Sequence, residues 1–219
     1  MNGQQKNESD FYKWFDENLG IENSILFNGT RPLENTISKD GSHKFYLIPT
    51  YIPGNIVYQS QPYFDIPLKY DIHEDEITIN LIKNKESSII RLIKANVQSF
   101  TLQNKQFVQL ADPDQSVLVN GFYEVLFESS NLSLFKKHHK IKKEQIVQKQ
   151  VYTNYKENDL YLMKKLGKYH NVANKNELIK IMPEHKSTIN NFYKQYDKLR
   201  DSDLDAFLIK LCKNLSGSN

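Results

Sequence analysis

The sequence predicts a mainly β protein, an antiparallel sandwich or barrel-like body with a small C-terminal α-helical segment. Three observations lead there. Short runs of alternating apolar and polar residues recur between Ser24 and about residue 172, each bounded by turn-forming residues. The gaps between those runs are too short for the crossover helices of a βαβ arrangement. After residue 173 the apolar spacing changes from two to three and four, with capping residues in front of it. Thirteen Tyr and twelve Phe against three Met agree, because aromatic rings fit the half-buried surface of a pleated sheet.

Three segments follow in order. Residues 1–23 read as a polar lead and a short helix: Ser9 caps it, Phe11, Trp14, Phe15 and Leu19 share one face, and Gly20 ends it. Residues 24–172 form the β-rich body, with strand candidates at 25–27, 44–48, 56–58, 76–82, 88–93, 97–102, 106–110, 122–127 and 131–137. Asp40-Gly41, Pro53-Gly54, Asn84-Lys85, Asn104-Lys105 and Asn120-Gly121 supply the turns. Residues 151–155 and 159–166 read as a hairpin or meander that returns through Gly167 into 168–172. Residues 173–219 are the helical tail. Asn174 with Glu177 forms a capping-box start, and Pro183 suits the first turn of the next helix. Ser202 is placed to cap a last helix striped by Leu204, Phe207, Leu208, Leu211 and Leu215. With Leu178, Ile181, Ile189 and Phe192, this tail is too apolar to remain wet, so it is expected to pack on itself or on the body.

Charge divides the chain near residue 135. Up to Phe135 there are 11 Lys plus Arg against 17 Asp plus Glu (11 − 17 = −6), and from Lys136 onward 18 against 9 (18 − 9 = +9). Such a split points either to two segments that dock on each other or to an anionic partner. The densest basic run holds Lys136, Lys137, Lys140, Lys142 and Lys143, a candidate contact for an anionic surface such as lipid headgroups. It contains neither Arg nor aromatic residues, so nucleic acid is not expected as a partner. A second candidate contact surface is the stretch from 49 to 67, where Tyr51, Tyr58 and Tyr63 accompany four of the seven prolines. The same rings are equally suited to alternate into the core.

Catalytic and metal motifs are weak. Asp71, His73 and Asp75 have the spacing of a cation-binding loop, but an EF-hand needs Gly at the sixth position and Glu at the twelfth, where Glu76 and Ile82 stand. A solvated turn between two strands accounts for these acids. His138 and His139 are adjacent, so in an extended chain they point to opposite faces. His43, His73, His170 and His185 are isolated, no nucleophile elbow or phosphate loop occurs, and Cys212 falls on the apolar stripe of the last helix. Neither a metal nor a cofactor is expected. No apolar run approaches the roughly 20 residues of a membrane-spanning helix.

Several stretches carry a resemblance. They are Asn28-Gly-Thr-Arg31, Gly54-Asn-Ile-Val-Tyr-Gln-Ser-Gln-Pro-Tyr63, Leu68-Lys-Tyr-Asp-Ile72, and Glu177-Leu-Ile-Lys-Ile-Met-Pro-Glu-His-Lys-Ser-Thr-Ile189 followed by Asp203-Leu. In this order the chain resembles a group of exported Bacteroidetes proteins of unknown function, with a β-rich body and a short helical tail. The polar start by itself suits either a cytoplasmic protein or a mature exported one whose signal has been removed; the resemblance implies export behind a cleaved signal, and the start then reads as a mature terminus. It implies no catalytic residues. The function expected from this is a non-enzymatic, exported accessory or binding subunit of an outer-membrane or cell-envelope assembly, whose partner is a protein or envelope component. An envelope hydrolase or glycan-active enzyme, and a β-fold lipid or lipoprotein carrier, are the alternatives.

Overall fold

The computed structural model describes residues 25–32, 38, 40–83, 86–111 and 120–217. The expected N-terminal helix and the Asn84-Lys85 turn lie outside them. The protein is mainly β with C-terminal helices, as its sequence predicts, and its sheets are open, so the barrel alternative falls. It divides into two units that interleave along the chain rather than meeting at residue 172. One takes the described residues up to Gln109 with His139–Asn158, the other Leu110–His138 with the chain from Asp159 onward.

Strands are numbered along the chain. The first unit holds β1 (Ile52–Tyr58), β2 (Gln61–Asp71), β3 (Glu76–Lys83), β4 (Glu86–Arg91), β5 (Val97–Leu102) and β6 (Lys105–Leu110), antiparallel in the order β6-β5-β1-β2-β3-β4. It also holds a two-stranded ribbon of β9 (Lys140–Val147) and β10 (Gln150–Glu157). Tyr58, Tyr63, Tyr70, Phe100 and Phe107 fill its core. The Phe100 and Phe107 rings stack at 4.6 Å and Tyr70 meets each edge-on.

Two-residue loops with both φ angles positive close four hairpins: Gln59-Ser60, Gln103-Asn104, Gln148-Lys149 and Leu166-Gly167. This left-handed pair matches the twist of the flanking strands. Where Asn or Gly stands the sequence signals the turn, but Gln59-Ser60 carries no such signal. The expected turn at Pro53-Gly54 lies inside β1 instead, where the pairing register slips between Gly54 and Ile56. Two expected strands are also absent: Ile25–Phe27 is a 3-10 turn, and 44–48 contributes a single bridge, Phe45 to Asp71. Runs of three or five residues, without a long pairing partner, cannot hold a ladder by alternation alone.

The second unit holds β7 (Gly121–Glu128), β8 (Leu132–Lys137), β11 (Leu160–Lys165) and β12 (Lys168–Asn171), antiparallel in the order β12-β11-β8-β7. Four helices accompany them: α1 (Lys175–Ile181), α2 (Lys186–Gln195), α3 (Asp197–Ser202) and α4 (Leu204–Leu215). Asn174 caps α1, its side chain accepting from the N–H groups of Asn176 and Glu177. Pro183 opens the 3-10 turn Pro183–His185 that leads into α2. The cap of α4 is Asp203, which accepts from Ala206 N at 2.9 Å, whereas Ser202 is the last residue of α3. Leu132 and Leu134 of β8 and Met163 of β11 share one core with Leu178, Ile189, Phe192, Phe207, Leu208 and Leu211 of the helices. The expected apolar stripes thus pack on each other and on these strands. Cys212 sits in the same core, and burial pushes its thiol up to about 12.

Candidate functional site

The residues singled out by sequence are dispersed and largely internal. Tyr58 and Tyr63 are fully buried and serve the core, while Tyr51 is half-buried under the Lys69 ammonium. The loop at Asp71 is a turn, as expected, but not a solvated one. Asp71 accepts from His73 N and Glu74 N and pairs with Lys44, while Asp75 accepts from Tyr70 Oη and pairs with Lys94, each at 2.6 Å. His73 Nδ1 lies 2.8 Å from the Lys140 carbonyl. Among the described residues no three metal-ligating side chains converge.

The five lysines of the basic run have different fates. Lys137 is buried against the Tyr123 ring, and Lys140 is buried with its ammonium donating to the carbonyls of His43 and Phe45. Lys142 pairs with Glu144 and stays exposed, as does Lys143. Lys136 belongs to a polar network in the second unit.

That network is a product of register. On β8 the residues facing the helices alternate as Leu132, Leu134 and Lys136, so the face turns from apolar to polar toward the strand's end. Lys136 stands opposite Glu124 of β7 on one side and Tyr161 of β11 on the other, which sets three polar side chains in one row. His138 lies two residues beyond Lys136 and Asp159 two residues before Tyr161. The first turn of α4 adds Asp205.

The contacts close into a chain. His138 Nε2 lies 2.7 Å from Glu124 and its Nδ1 3.9 Å from Asp159. The Lys136 ammonium lies 3.1 Å from Asp159 and donates to both Asp205 oxygens at 3.1 and 2.9 Å. Tyr161 Oη donates to Asp205 at 2.5 Å. Burial acts to lower the Lys136 pKa, but the Asp205 hydrogen bond and the charges of Asp159 and Asp205 outweigh it and hold the ammonium above its ordinary range. Burial, then the hydrogen bond to Asp205, pushes the Tyr161 phenol up. For Asp205 burial acts upward, yet hydrogen bonds from Lys136 and Tyr161 prevail and hold the carboxyl below its usual value. At neutral pH these three are therefore locked as ammonium, phenol and carboxylate.

Beside the network lies an open groove of about 490 Å³. Its walls are largely apolar, from Leu160, Val172, Ala173, Tyr193, Leu204 and Leu208, while Asp159, Tyr161, Asn171 and Asn174 bring polar groups to it. A mostly apolar concavity with a few converging polar groups has the general form of a binding site. It is not legible in the sequence, because Lys136 stands among other lysines in the chain and meets Tyr161 and Asp205 only through strand pairing and helix packing. The one legible trace was the same-face spacing of Lys136 with His138 and of Asp159 with Tyr161.

Together these features define a mainly β chain with a helix-lined groove in its second unit. Comparison with protein-family models, with characterised proteins and with solved structures finds no match to this chain. Among the described residues no helix is long and apolar enough to cross a membrane.

Proposed function

We propose that this protein is a non-enzymatic binding subunit, exported to the cell envelope, and that the groove of its second unit receives a segment of a partner protein. The observation that carries this reading is the junction of an apolar groove with the network of Lys136, Tyr161 and Asp205. Turnover by general acid and base needs a group that exchanges its proton near neutrality. Lys136, Tyr161 and Asp205 are held away from that range. Asp159 belongs both to the network and to the groove wall, so a partner segment with an apolar body and a Lys or Arg meets a carboxylate there. Export is the expectation that the sequence resemblance supplies.

The test is covalent capture in native membranes, with a photoreactive residue placed at Asn171 on the groove. One partner is expected, and its recovery falls when Leu204→Glu puts a charge on the groove wall; Glu suits the first turn of α4, so the fold is retained. Capture that is indifferent to Leu204→Glu, or hydrolytic turnover abolished by Asp159→Asn, overturns the binding reading. Fractionation of cells producing the tagged protein tests export, and recovery confined to the cytosol contradicts it.

A further inference from the structure

We propose that two lysine-flanked hairpin tips, Leu166 in the second unit and Ile146 with Val151 in the first, are each a docking point for an anionic lipid bilayer. The first observation is a leucine in the wrong kind of place. Leu166 and Gly167 close the β11–β12 hairpin with φ angles of 48° and 83°. The first of these positions favours Asn, Asp or Gly, because a bulky side chain is strained at positive φ. Leu166 is also 75% exposed, so burial does not offset that strain. Its neighbours hold the turn without covering the side chain. Leu166 N–H donates to the Asn131 carbonyl at 3.3 Å, while Lys165 donates to the Ile181 carbonyl at 3.1 Å and pairs with Glu184 at 2.6 Å. A branched aliphatic side chain kept strained and wet on a tethered turn is placed to enter something outside the chain.

The β9–β10 ribbon repeats the pattern. Ile146 and Val151 stand opposite each other, one pair back from the turn-closing pair Val147 and Gln150, and so share a face. They are 76% and 49% exposed. Lysines flank both tips: Lys164 and Lys168 lie on either side of Leu166, Lys149 occupies the turn of the ribbon, and Lys143 and Lys156 lie further back along it. Neither 145–156 nor 160–173 contains an acidic residue. Each tip therefore joins bare aliphatic carbon to positive charge within a few residues.

This composition favours lipid over protein. A protein interface needs a continuous patch of about 800 Å² per partner, with charge depleted at its core. Each tip instead presents one or two aliphatic side chains on a hairpin end with ammonium groups beside them. A bilayer suits that form, because the aliphatic chains enter the acyl boundary, the lysine stems lie along it, and the ammonium groups meet the phosphates. The anionic surface indicated by the basic run is thus met by a different set of lysines, with Lys143 the one in common.

The test is flotation of the full chain with vesicles of phosphatidylcholine alone and of phosphatidylcholine with about one third phosphatidylglycerol. Binding is expected to the anionic vesicles only, and it falls as salt is raised. Leu166→Asn is expected to weaken binding about fivefold or more while thermal stability rises, since Asn tolerates the left-handed angle and the leucine makes little contact to lose. Ile146→Thr with Val151→Thr, which keeps the β propensity of the ribbon, is expected to weaken binding to a similar degree. Lys149→Gln with Lys168→Gln is expected to weaken it about tenfold. No binding to either vesicle, equal binding to both, or indifference to either aliphatic change overturns the proposal. So does a concentration-dependent self-association lost in Leu166→Asn, which would assign that tip to a second copy. Leu166 follows the end of β11 opposite to Asp159 and Leu160, so these variants leave the groove intact and the two readings fail separately.

Discussion

Lys136 differs from its four lysine neighbours in what it neutralises. It is the ammonium that Asp159 and Asp205 share, with 12% of its side chain exposed. Lys136→Met is expected to destabilise the protein, since stranding the partner of a well-buried pair costs about 3–5 kcal/mol. Asp205 is a third exposed, so a loss of about 1–3 kcal/mol in urea unfolding is the expected result here. A value near zero would mean that solvent screens the pair completely. The pH dependence follows from Asp205, whose folded pKa lies below its unfolded one. Its contribution is complete above the unfolded carboxyl range of about pH 4 and is lost as pH falls through the lower folded value. Thermal unfolding of wild type and Asp205→Asn is therefore expected to differ at pH 7 and converge toward pH 2, and a gap that stays constant would refute the linkage. Lys136, shifted upward, keeps its contribution below the ordinary lysine range and loses it only in strong alkali.

At the level of elements, caps and turns were the most legible features where the side chain itself supplies the hydrogen bond. Asn174 caps α1 as its spacing with Glu177 indicates. Between Ser202 and Asp203 the sequence does not discriminate, because both residue types cap well and they are adjacent. The structure chooses Asp203, while the Ser202 hydroxyl donates to the Leu199 carbonyl within α3. Asn174→Ala and Asp203→Ala are each expected to cost about 1 kcal/mol, and Ser202→Ala close to nothing. Urea unfolding of the three variants checks this, and a larger loss at Ser202 than at Asp203 reverses the assignment. Turns were less legible. Gln59 and Ser60 adopt left-handed angles without Asn or Gly, because the pairing of β1 with β2 on both sides of the turn holds them there.

At the scale of the molecule, the helical tail is part of a unit and not an appendage. Phe207 is fully buried in the core that α4 shares with Leu134 of β8 and Met163 of β11. Phe207→Ala is expected to cost about 3–5 kcal/mol. In hydrogen exchange the loss of protection is expected to reach β8 and β11 together with the helices. Helices that exchange freely over strands still fully protected would make the tail separate after all. By itself the sequence determined the mainly β class, the change to helices after residue 173, the Asn174 cap and the burial of Cys212, because each depends on periodicity or on partners a few residues away. Tertiary structure alone decided that the sheets stay open, that Tyr58 and Tyr63 of the proline-rich stretch are core, and that Lys136 joins Asp205 across 69 residues of chain. Those outcomes depend on register between distant strands, and one residue of slip would carry every side chain of β8 to the opposite face.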